Sequence, residues 1–176
     1  MAHVSLAEPF CPQLSALLAD AAERGLPKGQ KLHRGGTYLC MEGPAFSTQA
    51  ESKLYRSWGC SVIGMTNHTE ARLAREAELA YASLSMVTDF DCWHEDHDAV
   101  SVEMVISNLQ ANASATEPIL SGLMQQLKQK PPASTAHTAL ANALITPKDQ
   151  VPAETRSKLD LFTSPYWGSF DQSSIS

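Results

Sequence analysis

The chain has 176 residues, about one domain's worth, and a chain of this length hides roughly 70% of its extended surface on folding, enough for a hydrophobic core. Thirteen Lys and Arg against nineteen Asp and Glu give a net charge of -6, and 43% of the residues are apolar, a globular rather than a disordered composition. The negative sign argues against a nucleic-acid polymer held through its phosphates, no apolar run approaches a membrane span, and Met1-Ala2-His3-Val4 has no cationic and apolar signal region; the expectation is a cytoplasmic protein with neither membrane nor nucleic-acid partner.

Pro12 followed by Leu14, Leu17, Leu18, Ala21 and Ala22 has the three-and-four spacing of an amphipathic helix opened by a proline and ended near Gly25. Thr37-Tyr38-Leu39-Cys40-Met41 reads as a short buried strand, broken by Gly43 and Pro44. Thr48 and Glu51 have capping-box spacing, and Ala50, Leu54, Tyr55 and Trp58 then line one helical face as far as Gly59. The pattern repeats, with an apolar strand over residues 60–66 and a second box at Asn67 and Glu70 opening a helix through Leu73, Ala74 and Ala77. Residues 81–88 carry no charge and read as a third strand covered on both faces. Two strand-helix units feeding a third strand predict an α/β fold, with a parallel or mixed sheet and flanking helices.

Residues 101–130 read as largely helical, with Val102, Val105, Ile106 and Leu109 on one face and Pro118 either kinking the helix or opening a second. The organisation expected is one unit over residues 1–130 and a tail over residues 131–176, loosely docked or mobile, holding five of the ten prolines and one short helical patch around Ala139 to Leu144. Cys11, Cys40, Cys60 and Cys92 are too widely spaced for a zinc or redox motif and read as reduced, mostly buried thiols.

Ligands of open α/β sheets bind beyond the carboxyl ends of the strands, here residues 42–47, 65–68 and 88–91. The two boxed helices start beside the first two ends, so their N-terminal N–H groups and the hydroxyls of Ser47, Thr48, Thr66 and Thr69 would favour an anion; the alternative is that these hydroxyls are merely caps. No Lys or Arg lies in these loops, so a bound phosphate needs a cation from elsewhere. Asp89 and Asp91 point to one side if strand geometry continues, and like charges with partial burial favour one carboxyl keeping a proton it could donate. The plainer alternative is a solvated acidic loop. Asp89, Asp91, Cys92, His94, Asp96, His97 and Asp98 are the right letters for a metal, but the sixth residue from Asp89 is His94 and the twelfth Val100, where a calcium loop needs Gly and Glu; no metal site is expected.

The strings Leu6-Ala7-Glu8-Pro9-Phe10-Cys11-Pro12, Glu42-Gly43-Pro44-Ala45-Phe46-Ser47 and Thr88-Asp89-Phe90-Asp91-Cys92-Trp93 resemble the methylthioadenosine phosphorylases of the trimeric purine nucleoside phosphorylase family. With Asn67, Thr69, Glu70 and Ala99-Val100-Ser101-Val102, the similarity runs in order over about residues 3–115. It implies a phosphorylase/nucleosidase-like fold whose N-terminal half, with a glycine-rich phosphate loop and an Arg-His motif, is absent here. The pattern departs after Leu127.

The resemblance implies phosphorolysis of a methylthio-nucleoside to adenine and a pentose 1-phosphate, with a homotrimer when complete, inorganic phosphate as co-substrate and no cofactor. It makes Asp89 and Asp91 the acids at the base's N7 and 6-amino group, and Thr66 and Ser47 phosphate contacts. It lays Met65 along the ribose, Phe46 and Ile63 against the base, Val102 and Val105 in the apolar lining, and extends His3 toward a neighbouring subunit's site. For Phe46, Met65, Val102 and Val105 plain core packing is the alternative. The rivals are a purine-nucleoside-binding fragment without chemistry, a metal-binding fragment using residues 89–98, and hydrolysis in place of phosphorolysis. With its phosphate loop absent, the chain is expected to be weakly active or inactive.

Overall fold

The computed structural model describes residues 1–94 and 102–170. Helix α1 (Pro12–Gly25) opens on Pro12, whose missing N–H costs nothing there, and the Cys11 thiol caps it by accepting from the Leu14 amide at 3.5 Å. Its stripe of Leu18, Ala21 and Ala22 packs on Ile119 and Leu123 of the long helix α4 (Val102–Gln129) to form the core. The helices come close enough that a Cβ on Gly25 would lie 2.9 Å from the Ile119 side chain. Pro118 sits inside α4 without ending it, beside fully buried Ile119.

Between these helices come β1 (Tyr38–Cys40), α2 (Gln49–Ser57), β2 (Val62–Gly64) and α3 (Asn67–Glu76). The strands pair in parallel, Tyr38 opposite Val62, Leu39 opposite Ile63 and Cys40 opposite Gly64. The family-like α/β architecture is present, as a small parallel sheet with flanking helices. The expected third strand is not: residues 81–88 join no ladder among the described residues. Their backbone is held instead by Cys11, whose amide donates to the Tyr81 carbonyl, and by α4, where Asn112 and Asn108 donate to the Val87 and Thr88 carbonyls at 3.0 and 2.7 Å. Ala82 and Leu84 pack on the α1–α4 core.

Three helical details also differ from expectation. The Thr48–Glu51 capping box forms, but the second helix is capped one residue early, at Thr66, which makes no side-chain cap bond. On α2 the buried residue is Ser52, while Leu54 and Trp58 of the supposed core face are 46% and 63% exposed. On α4, Ile106 and Leu109 are likewise exposed, and burial begins at Ala115. Of the four free thiols only Cys11 is buried, and Cys92 is exposed.

After Lys130 come short turns of 3-10 helix at Thr135–Thr138 and Lys148–Gln150, then α5 (Ala153–Trp167), which the sequence reading lacks. The patch near Ala139 forms turns rather than a helix, and it buries Ala136, Leu140 and Ala143. Glu78, at φ 57°, accepts from the Leu140 amide and the Tyr166 hydroxyl. Leu144 bridges Ala2, and Ala143 accepts from the His3 amide at 2.9 Å. No helix among the described residues is long and apolar enough to cross a membrane.

Candidate functional site

The parallel register ends β1 and β2 side by side, so the loop after β1 and the turn into α3 leave the sheet at one edge. The Cys40 thiol ties them, donating to the Met65 carbonyl at 2.9 Å and accepting from the His68 amide at 3.4 Å. Gly43, at φ 70°, lets the loop pass over Met65: a Cβ there would lie 2.9 Å from the Met65 sulfur. Ile63 and Met65 are both half-buried, with Thr66 exposed at the head of α3.

Residues 88–94 close on the same loop. The Cys92 thiol donates to the Ser47 carbonyl at 3.4 Å, and Ser52 of α2 donates to the Asp91 carboxylate. Asp89 accepts instead from Thr88 at 2.7 Å. Because the chain turns over residues 91–93, the strand alternation that was to aim both acids one way does not continue through Asp91. Each carboxylate has its own hydroxyl donor. Beneath them the Arg56 guanidinium of α2 lies 3.3 Å from the Trp93 ring centroid, a cation–π contact that pins the turn to α2.

On the α3 side, the Tyr81 hydroxyl reaches the Asn67 side-chain oxygen at 2.6 Å and the Glu70 carboxylate at 2.7 Å. Hydrogen bonds from Thr66 and then Tyr81 hold the Glu70 carboxyl below its ordinary range. Burial, reinforced by Glu70, pushes the Tyr81 phenol up. Burial also raises the Tyr38 phenol, with the electrostatic influence of nearby Cys40 and Glu70 adding to it.

The structure thus draws Ser47, Met65, Thr66, Asp89 and Asp91 into neighbouring loops, with Ile63 on the strand beneath. Phe46 is 86% exposed, so core packing is not its role in this chain. Val105 is half-buried, one helical turn before the Asn108 that holds Thr88. His3 stands elsewhere, lining a cavity with Arg75 and Asn142. The Val102 side chain and residues 95–101, which include Asp96, His97 and Asp98 of the acidic run, lie outside the described residues. Ser52, Arg56 and Tyr81 were not anticipated. No spacing rule pairs Ser52 with Asp91, and the apolar periodicity of α2 points instead to Leu54 and Trp58.

The model of the phosphorylase superfamily matches residues 1–125. The chain belongs to this superfamily. It is 60% identical over 172 residues to the S-methyl-5′-thioadenosine phosphorylase of Prochlorococcus marinus, covering 98% of this chain and 55% of that protein. With its namesake from Thermosynechococcus vestitus identity is 57%, over 94% of this chain and 57% of that one. Among solved structures, a methylthioadenosine phosphorylase from an antarctic soil metagenomic library superposes with a TM-score of 0.85 at 46% identity, covering 92% of this chain and 56% of its own. The Schistosoma mansoni methylthioadenosine phosphorylase in complex with adenine gives a TM-score of 0.70 at 29% identity, over 86% and 57%. The chain therefore spans little more than half the length of the relatives it matches.

Proposed function

We propose that these residues form the base and ribose side of a site for phosphorolysis of 5′-methylthioadenosine, yielding adenine and 5-methylthioribose 1-phosphate. The observation that supports this reading most is the convergence of three loops, with Asp91 tied to α2 and the Ser47 loop tied to residues 88–94. A phosphate oxygen attacks the anomeric carbon as the bond to N9 breaks, and the electron pair of that bond leaves with the purine. A carboxylic acid at N7, supplied by the pair Asp89 and Asp91, neutralises it, which is general acid catalysis. Ser47 and Thr66 contact phosphate beside the start of α3, where Thr66 makes no side-chain cap bond and the positive end of the helix favours an anion. Met65 lies along the ribose, Phe46 and Ile63 face the base, and Val102 and Val105 line the apolar end. His3 acts toward a neighbouring subunit of a homotrimer. Inorganic phosphate is co-substrate, no cofactor takes part, and the setting is cytoplasmic.

Turnover is expected to be weak in this chain, because no Lys or Arg stands in the three loops and preorganised charge is usually the largest catalytic term. The test has two parts: calorimetric titration with adenine, and methylthioadenosine cleavage at high protein concentration with and without phosphate. Saturable adenine binding that Asp89→Ala abolishes, with any cleavage strictly dependent on phosphate, supports the reading. Cleavage that runs equally well without phosphate makes the chemistry hydrolysis, and absence of both binding and cleavage removes the proposal.

A further inference from the structure

A cavity of about 480 Å³ opens where residues 3–8, the end of α3 and residues 135–143 meet. Arg75 lines it and is only 8% exposed. Its guanidinium donates to the Glu8 carbonyl and, at 3.4 Å, to the Thr135 hydroxyl. Both partners are neutral, and none of the ion pairs among the described residues includes Arg75. A buried cation without a counter-charge is costly, and of its five N–H groups two are accounted for by these bonds. Ser5, Thr138 and Asn142 add hydroxyl and amide groups to the wall, while Ala7, Ala139 and Ala143 give it an apolar side. The volume is many times that of one water and falls in the range of small-molecule sites.

We infer that this cavity binds a small organic anion, its carboxylate or phosphate on Arg75 and its apolar part against the three alanines. The inference does not rest on the phosphorolysis reading, with which the cavity shares one lining residue, His3. Glu8, which also lines the cavity, contributes its main-chain carbonyl to Arg75, and being exposed its carboxylate is screened by solvent. Because the walls come from three separate segments, the ligand joins the 135–143 segment to α3 and the N-terminal residues, and its binding energy adds to the stability of that junction.

The experiment follows the backbone amides of Thr135, Thr138 and Asn142 by NMR as butyrate, sulfate or inorganic phosphate is added to the whole chain, each against chloride at equal ionic strength. At least one anion is expected to shift these amides saturably where chloride does not; butyrate alone assigns a carboxylate, and sulfate and phosphate alone a phosphate ester. The behaviour must persist in the Ser47→Ala, Thr66→Val variant, which keeps the proposed reaction site out of the measurement. Arg75→Gln should weaken binding at least about tenfold, as loss of a charge-assisted contact does. If that variant does not fold, Thr138→Val and Asn142→Leu take its place, each expected to weaken binding about threefold or more, the scale of one neutral hydrogen bond. Equal shifts with chloride, or affinity unchanged in the folded variants, would overturn the inference.

Discussion

The hydroxyl of Ser52, 1% exposed within α2, donates at 2.5 Å to the carboxylate of Asp91, 39 residues along the chain. A hydrogen bond to a charged group is worth about 1.5–3 kcal/mol, and its buried donor fixes where the carboxylate points. Ser52→Ala should therefore weaken adenine binding about tenfold, equivalent to about 1.4 kcal/mol. Calorimetry on both proteins measures it, with urea unfolding as the check that the fold survives. Unchanged affinity would mean that Asp91 does not need Ser52 to meet the base.

Asp89 is proposed to give a proton, which separates it from a residue that only binds. Asn at this position can still bond the N7 and 6-amino edge of adenine, a pairing that amides make well. It cannot neutralise the leaving purine. Asp89→Asn should cut methylthioadenosine phosphorolysis by about a hundredfold or more while adenine affinity changes less than about tenfold. Relative preference should move toward methylthioinosine, whose 6-oxo group suits an amide donor. An equal loss with both nucleosides would make Asp89 a structural residue.

The elements legible in the sequence are those specified by local chemistry. Pro12 with its leucine spacing marks α1, Thr48 and Glu51 mark the start of α2, and two apolar runs mark the paired strands. Residues 81–88 look equally like a strand, yet strand identity is settled by a partner's backbone, and here Asn108, Asn112 and Cys11 take that place. The same limit hides Ser52, Arg56 and Tyr81, whose value lies in contacts far along the chain. Helix α5 escapes because Pro165 and its polar residues mask a segment that is anchored through Tyr166 to Glu78. Apolar spacing on α2 and the first half of α4 picks out stripes that this chain leaves exposed, as Leu54, Trp58, Ile106 and Leu109 show, while the residue α2 buries is Ser52.

Alkaline stability gives a test of the Tyr81 bridge. Burial, and then its bond to Glu70, raises the Tyr81 phenol above its ordinary value of 10.0. The folded state thus holds this proton more tightly than the unfolded one. Its contribution is fully present below about pH 10 and is lost as pH rises from there toward the folded-state value. Urea midpoints should fall between about pH 9 and about pH 11, and fall less steeply in Tyr81→Phe. Tyr38 and Tyr166 are shifted the same way, so the substitution should reduce the slope without abolishing it. Identical slopes in the two proteins would remove Tyr81 from the account.

Gly64 closes β2 immediately before Met65 and Thr66, and the absence of its side chain makes room for Tyr38. A Cβ at Gly64 would fall 1.8 Å from the Tyr38 hydroxyl oxygen and 2.8 Å from the ring carbon that bears it. The phenol would have to leave its half-buried position against the sheet, and overpacking of this kind costs about 1–3 kcal/mol. Gly64→Ala should destabilise the chain by that amount in urea unfolding. The clash makes a sharper statement about pairs. Tyr38→Phe removes the oxygen but keeps the ring carbon, so the Gly64→Ala penalty should shrink and persist; Tyr38→Leu, which no longer reaches Gly64, should remove most of it. Residues in direct contact show coupling of about 0.5–3 kcal/mol in such cycles. A penalty that is the same in all three backgrounds would place the strain in the strand backbone itself, and the Tyr38 ring would then have no part in shaping the turn that carries Met65 and Thr66.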